Sequence, residues 1–261
     1  MGITLYFSTH EAEAITPRLK ELYEAAGVVV LEQDYAEDDD LNLNLVNELS
    51  RGNILIDDVL KVTSGRTGQL FPDFTSGLLS MIYRSGKPIL LERSPFNVFE
   101  AAGYYALLRQ EFRDMPLGKA CRLLAENLAK QAAILKKRDE ALSQQLADVV
   151  AQNPSSNIFV IRGYGHRQSL ENALAARNVA VTSVTSHKLM LVLFTQELIQ
   201  KIMAGGRPTR RELLRSLVEQ VETRTTLYRP TQVNFGIIRD SVGAMSELQC
   251  EKFLKKKLNL T

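Results

Sequence analysis

The chain has no tryptophan, two cysteines and three histidines in 261 residues, and no apolar run reaches the length of about 18 that a membrane helix needs. Each scarcity excludes something. Cys121 and Cys250 are too few for a disulfide framework and lack the paired spacing of a zinc site; Cys121 falls in an apolar helical pattern and reads as core packing. Without a long apolar run, no membrane span is expected. Charge of one sign is also missing: 32 basic residues face 30 acidic ones, a net +2, which offers no electrostatic basis for binding nucleic acid. Lys255-Lys256-Lys257 reads as the solvated face of a terminal helix. No basic stretch precedes the short apolar run at 3–7, so no secretory signal is expected and the location is read as cytoplasmic.

With 45% hydrophobic and 24% charged residues, the composition is that of a globular protein, read as one α/β domain over 1–261. Two stretches share a layout of apolar run, histidine, helix and second apolar run. The first runs from Ile3 through His10 and a helix at 11–26 to Val28–Glu32. The second runs from Asn157 through Gly163-Tyr164-Gly165-His166 and a helix at 167–177 to Val179–Val184 and on to His187. Gly27 is placed to end the first helix in a left-handed conformation. A third short run, Ile89–Leu91, ends in Glu92, and Gln232–Ile238 reads as a further strand. Helical patterns cover 41–83 with breaks at Gly52 and Ser64-Gly65, then 98–114, 117–151, 189–203 and 208–228, and a loop is expected at 68–74 around Pro72. The fold expected is a central β-sheet with flanking helices: pseudo-two-fold β-His-α-β halves at about 1–95 and 155–240, with a helical region at 98–151 between them.

All three histidines follow apolar runs, and ligands on open α/β sheets collect beyond the carboxyl ends of the strands. His10, His166, Glu32 and Glu92 therefore form a candidate constellation. Two imidazoles and a carboxylate suit a first-row divalent ion; without metal, the same groups suit acid–base chemistry. Glu32 and Glu92 have a structural alternative, a salt bridge to Arg93 or Arg138. His187, between Ser186 and Lys188, reads as an ordinary loop residue. In the Gly163-Tyr164-Gly165 turn, glycines admit close backbone approach to a ligand, and Arg162 beside it offers a cation for an anion or a carboxylate.

In this order the motifs resemble the TraB/Tiki group within the erythromycin-esterase/ChaN-like superfamily. Phe7-Ser8-Thr9-His10 corresponds to the first Gly-x-x-His motif, with Phe7 where the family has glycine. Val30-Leu31-Glu32 and Lys87-Pro88-Ile89-Leu90-Leu91-Glu92 correspond to two strands ending in glutamate. Arg138-Asp139 stands for an arginine pair on a long helix, and Gly163-Tyr164-Gly165-His166 for the second Gly-x-x-His. The membrane segments of TraB and Tiki proteins have no counterpart.

The resemblance implies an α/β sandwich with a central cleft and a soluble hydrolase, foremost a metal-dependent peptidase or amidase. His10, Glu32 and His166 would hold a divalent ion (Mn, Co or Zn). Glu92, Arg138 and Asp139 would act in catalysis, and Arg162, Gly163, Tyr164 and Gly165 would bind the ligand. The partners expected are a peptide or small-molecule substrate and a second copy of the chain through the helical regions. The same architecture also hosts esterases that work without metal and proteins that bind haem or another small molecule. For that last role Tyr6, Phe7, Tyr164 and the Tyr104-Tyr105 pair would supply aromatic walls.

Overall fold

Among the described residues five strands form one all-parallel sheet: β1 Ile3–Ser8, β2 Val28–Leu31, β3 Ile89–Leu91, β4 Ile158–Gly163 and β5 Val181–Thr185, in the order β3-β2-β4-β1-β5. The computed structural model describes residues 2–8, 15–32, 39–63, 72–93, 95–96, 100, 103, 106–107, 111–185, 194–227 and 235–259. Ten α-helices lie among them: α1 Pro17–Glu24, α2 Asp39–Arg51, α3 Ile56–Thr63, α4 Pro72–Ile82, α5 Leu117–Gln152, α6 Arg167–Ala175, α7 Phe194–Met203, α8 Arg210–Leu227, α9 Phe235–Ala244 and α10 Glu247–Leu258. No helix among the described residues is long and apolar enough to cross a membrane. The chain groups into two compact units, Met1–Ala101 with Lys137–Leu189 and Ala102–Lys136 with Met190–Thr261; the expected second half, 155–240, is divided between them.

In the first unit the sheet separates two cores. Strand side chains alternate between faces, so Tyr6, Val29, Leu31, Ile89, Phe159 and Ile161 pack with α1 to α4, around Leu19, Tyr23, Leu49, Val59 and Ile82. Ile3, Leu5, Phe7, Val28, Val30, Ile158 and Val160 pack on the opposite face against Leu142, Leu146 and Val149 of α5 and Leu170 and Leu174 of α6. Right-handed crossovers account for this split. The β1-α1-β2 unit moves one way along the sheet and β4-α6-β5 the other, so α1 and α6 cover opposite faces. The two strands from which these crossovers depart, β1 and β4, are neighbours. The carboxyl ends of such a pair mark the topological switch point where open α/β sheets bind ligands.

The second unit is helical. Its core joins Leu124 and Leu128 of α5 to Leu214, Leu217 and Val218 of α8, Val242 of α9, and Cys250 and Leu254 of α10. Both cysteines are buried here and unpaired, as packing residues. Buried Glu219 of α8 holds the start of α7, accepting from the N–H groups of Phe194 (2.7 Å) and Thr195 (3.0 Å) and from the Thr195 hydroxyl (3.0 Å).

Several expectations are corrected. The expected strand Gln232–Ile238 is helical from Phe235 on; Ile238, Val242 and Met245 recur at helical spacing and meet the second core. Of the loop expected at 68–74, residues 68–71 lie outside the described residues and 72–74 are the start of α4, because proline, lacking the N–H that a first helical residue leaves unbonded, suits that position. Residues 111–114 are not helical, and Asp114 has φ 53°. The first helix starts at Pro17, with the Thr16 hydroxyl accepting the Leu19 N–H at 3.1 Å, and ends before Gly27. Gly27 does not take a left-handed φ. Its missing side chain lets β2 approach Ser156, which a Cβ would meet at 3.2 Å, and its N–H bonds the Asn157 carbonyl at 2.8 Å.

Candidate functional site

Strand register assembles the site. Leu31 pairs with Leu91 on one side and with Ile161 on the other, so the next residues, Glu92, Glu32 and Arg162, fall in one row across β3, β2 and β4. Alternation turns all three toward the face covered by α5, because Leu90, Val30 and Val160 two positions earlier face that way. There α5 presents Arg138 and Asp139, one turn before the core residue Leu142. His166 arrives from a single 3₁₀ turn, Tyr164–His166, that links β4 to α6. All six residues belong to the first unit.

Arg138 grips Glu92 side-on, Nε to Oε1 at 3.3 Å and Nη2 to Oε2 at 3.0 Å, and Nη1 of Arg162 donates to the same Oε2. Glu32 Oε1 lies 3.5 Å from both guanidiniums, while its Oε2 accepts the Gly163 N–H at 2.8 Å. Nη2 of Arg162 reaches Asp139 Oδ1 at 3.3 Å, and that oxygen lies 2.7 Å from His166 Nδ1. Nε2 of the imidazole is 3.7 Å from Glu32 Oε1. Side-chain exposure is nil for Glu92, Arg162 and Asp139, 8% for His166 and 17% for Glu32, so the imidazole and Glu32 form the solvent side of the cluster.

The contacts dictate the tautomer. An ionised Asp139 can only accept, so at 2.7 Å the ring proton belongs on Nδ1 and the lone pair on Nε2. In that state the 3.2 Å approach of Arg162 Nη2 to Nδ1 is not a hydrogen bond, because both atoms are donors; Nη2 gives its proton to Asp139 instead. Burial alone would push the Asp139 carboxyl up, but His166, Arg162 and Ser169 outweigh it and hold the pKa below the ordinary value. Burial likewise opposes the charge on Arg162, and Glu92, Glu32 and Asp139 more than compensate, so its pKa is raised. Three carboxylates face two guanidiniums, which leaves one negative charge when His166 is neutral.

The structure thus brings together Glu32, Glu92, Arg138, Asp139, Arg162 and His166 from the expected set. Glu92 and Arg138 meet each other, realising the salt-bridge alternative. Arg162 is interior and ion-paired, and the Gly163 N–H is taken by Glu32. Tyr164 packs partly buried against the core, and a Cβ on Gly165 would meet nothing within 4 Å. His10, His187, Tyr104 and Tyr105 lie outside the described residues. Two further residues of the site, Ser169 and Gln145, have no motif in the sequence to mark them. A side-chain position seven residues after Arg138, on the same helix face, was the one signal pointing to Gln145.

Among the described residues two donors face a common point where an ion could sit. Among the described residues no group of three His, Cys, Asp or Glu could hold a metal. Nε2 of His166 and Oε1 of Glu32 provide two donors, while Glu92 and Asp139 are engaged by arginine and imidazole. The third ligand of the expected set, His10, is not among them. No family model, curated protein or solved structure matches the chain.

Proposed function

We propose that the chain is a hydrolase of carbonyl compounds, esters or amides, built on a fold of the erythromycin-esterase/ChaN-like kind, with His166 as general base and Asp139 as its orienting partner. The observation that carries this reading is the 2.7 Å contact between a buried, ionised Asp139 and His166 Nδ1. It fixes the ring with Nε2 as the basic atom on the solvent side of the cluster, beyond the carboxyl ends of parallel strands. In the reaction Nε2 takes a proton from water as the water oxygen attacks the carbonyl carbon, then returns that proton to the departing alcohol or amine. Arg162 and Arg138 hold the carboxylates in place, and Glu32, closest to Nε2, favours the imidazolium that forms during attack.

A metal-dependent version of the same hydrolysis draws on the same contact. A carboxylate on one ring nitrogen is also the usual support for a histidine that ligates metal through the other. In that version Nε2 and Glu32 would be ligands, the ion would lower the pKa of a bound water, and the third donor would come from outside the described residues. The test is a panel of nitrophenyl esters, amides and peptides, assayed with and without chelator. Hydrolysis that falls by about 10²- to 10⁴-fold in His166→Ala supports the reading. Loss of hydrolysis in chelator with recovery on Mn²⁺, Co²⁺ or Zn²⁺ selects the metal version. Hydrolysis unaffected by His166→Ala rules out both.

A further inference from the structure

The outer edge of the sheet is closed by two side-chain amides. Among the described residues β3 is an edge strand, paired with β2 alone, and the Glu92 N–H bonds the Leu31 carbonyl at 2.8 Å. Backbone groups alternate along a strand, so those of Ile89, Leu91 and Arg93 face away from β2. Asn47 of α2 meets the first of these: its amide oxygen accepts the Ile89 N–H at 3.1 Å and its nitrogen donates to the Ile89 carbonyl at 2.9 Å. Gln145 of α5 meets the next two: its nitrogen donates to the Leu91 carbonyl at 2.8 Å and its oxygen accepts the Arg93 N–H at 2.9 Å. A carboxamide has the donor and acceptor of a peptide group, so the two side chains act as a surrogate neighbour strand, delivered from helices on opposite faces of the sheet.

We infer that Gln145 is a positioning residue for the site. Its two bonds grip the backbone immediately before and after Glu92, and the same helix, two turns earlier, grips the Glu92 side chain through Arg138. β3 is only three residues long, and β2 is its one strand neighbour among the described residues. Gln145 thereby sets where Glu92 meets Arg162, and Arg162 in turn contacts the Asp139 oxygen that holds His166. Asn47 grips the strand three residues before Glu92 and serves its start. The positioning is a matter of cluster geometry, and extends the hydrolase reading without depending on it.

The test compares Gln145→Leu with Asn47→Leu in the full chain, with Gln145→Met and Asn47→Ala as alternates should either fail to fold. Two readouts need no substrate: amide exchange over 89–93 and the His166 ring resonances at fixed pH. Both substitutions should speed exchange at the edge by about tenfold, the scale of one or two lost hydrogen bonds. Only the Gln145 variants should move the His166 resonances. If hydrolysis is found, the Gln145 variants should also lower kcat with KM unchanged. His166 resonances that stay put in Gln145→Leu, or that move equally in Asn47→Leu, would overturn the inference by reducing Gln145 to an edge cover. Failure to find hydrolysis would count against the proposed function and leave these two readouts standing.

Discussion

Oδ1 of Asp139 lies 2.7 Å from Nδ1 of His166 and 3.3 Å from Nη2 of Arg162, so one carboxylate oxygen joins the imidazole to the ion pairs at the strand ends. The orientation of His166 is therefore tied to charges delivered by three strands and one helix.

Asp139→Asn should test that tie through stability. It removes the partner of a buried guanidinium and an imidazole, a kind of loss that costs about 3 to 5 kcal/mol. The pKa of Asp139 is depressed on folding, so its contribution is fully present above the unfolded value of about 3.9 and is lost as pH falls from there through the folded value. Urea titrations should show a large gap between wild type and Asp139→Asn at pH 7 that narrows below about pH 4.

Removing Arg162 should be as costly. Arg162→Met takes one of the two guanidiniums from Glu92 and a cation from beside Glu32 and Asp139, all within a cluster whose core members are fully buried. We expect destabilisation of about 3 to 5 kcal/mol, and a double-mutant cycle with Glu92→Gln should give a coupling above about 1 kcal/mol. Denaturation of the two single variants and the double variant measures both.

Much of this architecture is legible in the sequence, for physical reasons. Runs such as Val28–Leu31 and Ile158–Ile161 are apolar on both faces, as strands of a covered parallel sheet must be. A charged residue directly after such a run, Glu32 or Glu92, is forced to find a partner, which marks it as a site candidate. Arg138 and Asp139 lie in a long amphipathic helix with no local sign of their role; Arg138 is legible only as one cation that a strand-end glutamate could pair with, and Asp139 only through the resemblance. Asn47 carries no sequence signal and Gln145 only its place seven residues after Arg138, because side-chain bonds to a distant backbone depend on register. The apolar run around Ile237 reads as a strand because a short apolar stretch has no period of its own, and Val242 and Met245, which continue the buried face of Ile238, lie beyond it.

The second unit should show the opposite pH response. Burial raises the pKa of Glu219, and the donors from Thr195 and Phe194 and the charge of Arg239 offset this only in part. A raised carboxyl contributes stability below its unfolded value of about 4.3 that is lost as pH rises through the folded value. Amide exchange in α7 should accordingly slow as pH is lowered from neutral toward that value, after correction for intrinsic rates. Glu219→Gln should remove this pH dependence.

The central claim, that Asp139 holds His166 with its basic nitrogen available, is tested most directly by ¹⁵N–¹H correlation of the imidazole rings. With three histidines in the chain, the His166 signals are assigned from His10→Gln and His187→Gln variants. We predict that the neutral His166 ring carries its proton on Nδ1, and that Asp139→Ala abolishes this preference. A neutral ring protonated on Nε2, or a tautomer indifferent to Asp139→Ala, would contradict the account.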